Sequence, residues 1–98
     1  MDKVKEIVIG ELNNILEMYD ITKPDNIDEN TYLIGRDGIL DSLSFVSFLV
    51  STELSINQVF NTIISLNNEK AFAQSKTPFR TVQTLTNYIL SEMKITNG

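Results

Sequence analysis

The sequence predicts an all-α fold: a small four-helix bundle of three main helices and a short helix third in order, with a long loop between helices 1 and 2. Three observations carry this expectation. Apolar residues recur at offsets of three and four near both ends of the chain, and a long, strongly apolar stretch occupies its middle. The segment before that stretch is polar and is broken by proline and glycine.

From Lys3 to Met18 the residues Val4, Ile7, Val8, Leu12, Ile15 and Leu16 form one apolar stripe, the mark of a first amphipathic helix. The opposite face, Lys5, Glu6, Glu11, Asn13, Asn14 and Glu17, is read as solvated. Gly10 costs about 1 kcal/mol against alanine inside a helix and is taken to mark a close helix approach. Residues 19–40 contain Pro24, the run Asp25-Asn26-Ile27-Asp28-Glu29-Asn30, Gly35 and Gly38, and read as a loop fastened to the core by Ile21, Ile27, Tyr32, Leu33 and Ile34. A connection this long in a small domain is uncommon and often functional.

A second helix is expected from Ser42 to Asn61. Ser44, Ser47, Ser51, Ser55 and Gln58 follow one line along it, taken as the solvent face, opposite a broad apolar arc of Phe45, Val46, Phe48, Leu49, Ile56, Val59 and Phe60. The arc, extended at its edge by Leu43, Val50 and Leu54, exceeds the stripe of roughly 100° that a surface helix needs. Leu43, Val46, Val50 and Glu53 are therefore the candidate partner-binding residues. Core remains open for Val50 and Leu54 and is favoured for Val46.

Asn67 to Ala73 contains helix formers behind an asparagine cap and suggests the short third helix. Thr81 reads as the N-cap of a final helix whose stripe is Val82, Leu85, Ile89 and Met93, ending near Lys94.

Composition narrows the chemistry. At 98 residues, 42% hydrophobic, the chain suits one domain over residues 1–98 with a single core. Cysteine is absent, so there is no disulfide or thiolate metal site, and any thiol used in chemistry must arrive on a prosthetic group. Histidine is absent too, which removes the commonest general base and zinc ligand, so the chain is not expected to be an enzyme. A serine hydrolase is further disfavoured by the lack of a Gly-x-Ser-x-Gly elbow, and Asp25, Asp28 and Glu29 lack the spacing of a calcium loop. Eight Lys and Arg against thirteen Asp and Glu leave a net charge of −5, which repels nucleic acid and anionic membrane. No apolar run is expected to reach the roughly 20 residues that span a bilayer, so a cytoplasmic location without stable membrane insertion is anticipated.

The residues that bear on function are Gly38-Ile39-Leu40-Asp41-Ser42-Leu43. Asp41 suits an N-cap, since its carboxylate can accept from the orphan N–H groups of the first turn, and this puts Ser42 at the first helical position. A phosphoester on its oxygen would sit beside unpaired donors and the positive end of the helix dipole. An isolated Asp-Ser-Leu is ordinarily just a cap, but here it lies mid-chain between a long loop and an apolar helix.

Gly-x-x-Asp-Ser-Leu in this setting resembles the modification site of the acyl carrier protein family. Tyr32-Leu33-Ile34-Gly35 is similar to the anchoring end of that family's loop, Asn67–Ala73 to its short third helix, and Thr81-Val82-Gln83 with Tyr88-Ile89 to its last helix. The resemblance implies that Ser42 carries 4′-phosphopantetheine, installed from coenzyme A by a phosphopantetheinyl transferase that Asp41 could contact. The thiol would hold acyl groups as thioesters for fatty-acid, polyketide or other specialised biosynthesis. Acyl-loading and acyl-processing enzymes are the implied partners of a monomeric carrier. Phe45, Phe48, Leu49, Ile64 and Ile89 could wall an acyl chain, although ordinary core is the favoured role. The family's fatty-acid carriers display several carboxylates on helix 2 that dock on Lys and Arg, whereas this chain keeps only Asp41 and Glu53 there. An aminoacyl or peptidyl carrier, and a helical protein-interaction module without a prosthetic group, therefore stay open.

Overall fold

The structure, a computed structural model, describes residues 2–34, 38–66 and 79–97. Three α-helices make up the regular structure among the described residues: α1 (Asp2–Met18), α2 (Ser42–Phe60) and α3 (Val82–Asn97), with no strand. The short helix anticipated over residues 67–73 lies outside the described residues. The final helix runs to Asn97, three residues past the expected Lys94, because no proline or glycine intervenes to stop it.

α1 packs against both α2 and α3 through Val4, Val8, Leu12, Ile15 and Leu16, all buried. Its end is closed by two crossing bonds, Ile21 N–H to the Leu16 carbonyl at 2.8 Å and Asp20 N–H to the Glu17 carbonyl at 3.2 Å. Asp20 takes the left-handed conformation (φ 54°) that this termination requires. The chain then turns back with Ile21 against the core.

The loop is fastened as expected at Leu33, which is fully buried, and at Ile21, Ile27 and Ile34, which pack against the core. Tyr32 stays exposed beneath the Arg80 guanidinium, 5.5 Å from its ring centroid. Around it the loop is laced to the start of α3: Leu33 N–H donates to the Arg80 carbonyl, Val82 N–H to Thr31 and Gln83 N–H to Glu29, at 2.8 to 3.0 Å. Loop carbonyls thus satisfy two of the orphan N–H groups of α3. Thr81 caps the helix as expected, its hydroxyl accepting from Thr84 N–H at 3.1 Å while its own amide donates to the Thr84 hydroxyl at 2.9 Å. Between α2 and α3 the space is taken by Phe79, whose ring meets Phe45 edge-on at 5.3 Å and Tyr88 at 6.1 Å.

The structure corrects the orientation of α2. The serine line faces inward: Ser44 is 1% exposed, and Ser47, Ser51 and Ser55 are half-buried. Small hydroxyls suit this seam because α1 and the turn after it supply partners for two of them. Ser55 donates to the Glu11 carboxylate at 2.8 Å, and Ser47 shares a 2.7 Å hydrogen bond with the Tyr19 hydroxyl. Glu11 is correspondingly half-buried and not part of a solvated face. Of the line, only Gln58 is exposed as expected. Val59, placed in the buried arc by the sequence reading, faces solvent, as does Val46, a partner-binding candidate for which core was favoured. Gly10 is corrected as well: it is exposed, and a Cβ there would meet nothing within 4 Å, so it marks no close helix approach.

α2 is also long and apolar enough, by length and composition, to cross a membrane, contrary to the expectation that no stretch would be. The cause is its near-absence of charge, Glu53 being its one ionisable residue. A third of it is buried in the protein, with Ser44, Phe45, Phe48, Leu49, Thr52 and Ile56 turned to the core.

Candidate functional site

The mouth of α2 is set by an alternation of inward and outward residues. Leu40, one before the cap, and Phe45, at the fourth helical position, both enter the core, an arrangement that fixes the angle at which the chain enters a helix. Between them Asp41, Ser42 and Leu43 are exposed. Asp41 is the N-cap, with extended backbone (φ −87°, ψ −179°). Its carboxylate accepts from Ser44 N–H at 2.9 Å and from the Ser44 hydroxyl at 2.7 Å, and Asp41 N–H donates back to that hydroxyl at 3.1 Å. This is a reciprocal capping box with serine in the place that glutamate usually holds.

The donation from the Ser44 hydroxyl, then from its amide, holds the Asp41 carboxyl below its ordinary value against the opposing effect of desolvation. Asp41 is thus an anion at neutral pH. Because Ser44 serves the cap, Ser42 is left out of it: among the described residues its hydroxyl makes no hydrogen bond. An exposed, uncommitted hydroxyl on the first residue of a 19-residue helix results. The hydroxyl is open to solvent, and among the described residues no carboxylate or amine hydrogen-bonds to it.

Gly38 contributes in a way that the motif did not reveal. A Cβ on it would lie well inside van der Waals contact with the backbone N, Cα and C of Ile34. Ile39 and Leu40 then donate to the Tyr32 and Leu33 carbonyls at 3.3 and 3.0 Å, so the approach to the helix is held on a tightly folded segment.

Of the partner-binding candidates, Leu43 is 67% exposed and Val46 and Val50 are each 42% exposed. Leu54, one turn further along, is 62% exposed. Glu53 stands apart from them: its carboxylate accepts from the Leu66 amide at 2.7 Å and ties down the segment after α2. That segment leaves α2 through Asn61, in the left-handed conformation (φ 54°, ψ 48°), and is held by the Asn57 side chain, which accepts from Thr62 and Ile64 and donates to the Ile64 carbonyl. The suggested acyl-chain walls, Phe45, Phe48, Leu49, Ile64 and Ile89, are all buried in one continuous core.

Sequence reasoning passed over Ser44 as a solvent-facing residue, although an Asp cap followed three positions later by a side chain able to bond back is a legible signal. Nothing in the sequence could have pointed to the Gly38–Ile34 approach. The protein-family models, curated proteins and solved structures compared with this chain include no match to it.

Proposed function

We propose that this chain is a carrier protein whose Ser42 hydroxyl takes a 4′-phosphopantetheine arm. The observation that supports the reading is the exposure of Ser42 at the first helical position with its hydroxyl uncommitted, the cap being carried by Asp41 and Ser44. The residues fit the group. A phosphodiester on Ser42 would adjoin the N-terminal end of α2, whose dipole favours negative charge.

In the loading step the Ser42 oxygen forms a bond to the phosphorus that bears pantetheine in coenzyme A. The pyrophosphate P–O bond breaks, adenosine 3′,5′-bisphosphate leaves, and the serine proton goes to a base on the phosphopantetheinyl transferase. The chain contributes a fixed, accessible oxygen and a surface to grip. When bound, the arm supplies the thiol that a chain without cysteine lacks, and with it the capacity to hold acyl groups as thioesters and present them to several enzymes at raised effective concentration. In this reading the fold is a four-helix bundle with its short third helix over residues 67–73, and the protein is a cytoplasmic monomer serving acyl-loading and acyl-processing enzymes.

Intact-mass measurement after incubation with coenzyme A and a broad-specificity transferase tests this. One phosphopantetheine per chain is expected, and none on Ser42→Ala; an unmodified wild-type chain would falsify the reading. A second reading, a helical interaction module with no prosthetic group, is favoured by the apolar exposure of Leu43, Val46, Val50 and Leu54. It requires Ser42→Ala to retain full function.

A further inference from the structure

One peptide group of the loop is bonded on both edges. The Leu33 N–H donates to the Arg80 carbonyl at 2.8 Å, and the Tyr32 carbonyl of that same peptide accepts from the Ile39 amide at 3.3 Å. The next carbonyl, that of Leu33, accepts from the Leu40 amide at 3.0 Å. The start of α3 thus lies on one side of the peptide, across an antiparallel bridge between Tyr32 and Thr81, and the approach to Ser42 lies on the other. A peptide group is planar, so its N–H and C=O cannot turn independently. A rotation that strains the bond to Arg80 strains the bond from Ile39 as well.

Arg80 holds this peptide twice. Its carbonyl takes the N–H, and its guanidinium stands 5.5 Å from the centroid of the exposed Tyr32 ring. Arg80 is itself firmly placed, because Phe79 before it and Val82 two residues on are fully buried and Thr81 caps α3. The buried Leu33 side chain fixes the loop from within, and the Arg80–Tyr32 contact fixes it from the outer surface. We infer that Arg80 is a positioning residue for Ser42, acting through the Tyr32 ring and the Tyr32–Leu33 peptide on Ile39 and Leu40, which lead into the Asp41 cap. Its consequence for modification rests on the carrier reading, whereas the mechanical link belongs to the fold.

Native-state amide hydrogen exchange of the full chain, paired with the steady-state kinetics of phosphopantetheine transfer by a broad-specificity transferase, tests this. Arg80→Ala removes the guanidinium and keeps the carbonyl. It is expected to speed exchange at Leu33, Ile39 and Leu40 about 3-fold, the weight of one exposed cation–ring contact, while Val8 and Leu12 in α1 stay within about 1.5-fold. Tyr32→Leu should reproduce the effect, and Tyr32→Phe, which keeps the ring face, should not. Arg80→Ala combined with Tyr32→Leu should exchange no faster than either change alone, since both remove the same contact. In Arg80→Ala the kcat for Ser42 modification is expected to fall about 3-fold with KM within about 2-fold, and Tyr32→Phe is expected to match wild type in both. Unchanged exchange at Ile39 and Leu40 overturns the inference, as does a rise shared equally by α1, which would be a loss of global stability. A raised KM with exchange unchanged also overturns it, because Arg80 would then be a contact for the enzyme, and so does an unaltered kcat where exchange has risen. Where wild type is modified on Ser42 and Arg80→Ala behaves like it, this inference alone falls; where wild type takes no group, the carrier reading falls, and Arg80 with it as a residue that serves Ser42.

Discussion

The amide of Ser44 donates to the Asp41 carboxylate at 2.9 Å while the amide of Asp41 donates to the Ser44 hydroxyl at 3.1 Å, so each residue closes an orphan donor of the other. Neither bond draws on the hydroxyl of Ser42, one of the two exposed residues between them.

A pH dependence follows from that pair. The Ser44 donors favour the ionised Asp41 carboxylate, so its folded pKa lies below the unfolded value of about 3.9. Stability lent by a depressed carboxyl is complete above the unfolded pKa and drains away as pH falls through the lower folded one. Urea midpoints should therefore be flat for this group from neutral pH down to about pH 4 and fall below it. Asp41→Asn should lose part of that acid slope while retaining a capping oxygen, and Asp41→Ala should lower the melting temperature at neutral pH, with far-UV circular dichroism as the readout.

The three long helices, the fastening of the loop at Leu33 and the capping roles of Asp41 and Thr81 were legible because each is a local matter: a repeat of 3.6 residues, or a side chain that reaches its own backbone three residues on. Which side of α2 meets α1 was not. Periodicity shows which residues share a face, but this helix carries apolar side chains nearly all the way round, so Phe45 and Val46 looked alike. The choice is made by partners distant in sequence. Glu11 on α1 accepts from the Ser55 hydroxyl, and Tyr19, in the turn just after α1, shares a hydrogen bond with the Ser47 hydroxyl. The valines and leucines are turned out as a consequence.

Thr52 adds a stability prediction. Its hydroxyl is fully buried in α2 with no hydrogen-bond partner among the described residues, whereas the buried Thr86 hydroxyl on α3 donates to the Val82 carbonyl at 2.8 Å. An unsatisfied buried hydroxyl costs more than the methyl of equal shape that could replace it. Thr52→Val should raise stability by about 1 kcal/mol, read as a higher urea midpoint at unchanged slope, and Thr86→Val should show no such gain.

Gly38 carries the opposite expectation. A methyl group there collides with the Ile34 backbone, which has no flexible end to swing aside, and the segment it would push leads straight into Leu40 and Asp41. Gly38→Ala should cost about 2 kcal/mol or more, and, on the proposed carrier function, displacing the entry to α2 should also slow transferase modification of Ser42. Denaturation and intact-mass time courses on the same preparation check both.

Gly10 separates the two reasons a helix can hold glycine. It lies in the interior of α1 on the exposed side, and the position of a Cβ is open space out to 4 Å, so no neighbour requires the missing side chain. What remains is the entropic penalty of fixing a flexible residue in a helix. Gly10→Ala should therefore stabilise the protein by about 0.5–1 kcal/mol, raising the melting temperature by about 2–8 °C for a domain of this size. The gain should persist in a Thr52→Val background, because the two changes act through unrelated terms, one on the unfolded chain and one on a buried hydroxyl. A loss of stability on Gly10→Ala would mean that α1 is approached on its outer face by a part of the protein that the described residues do not place there.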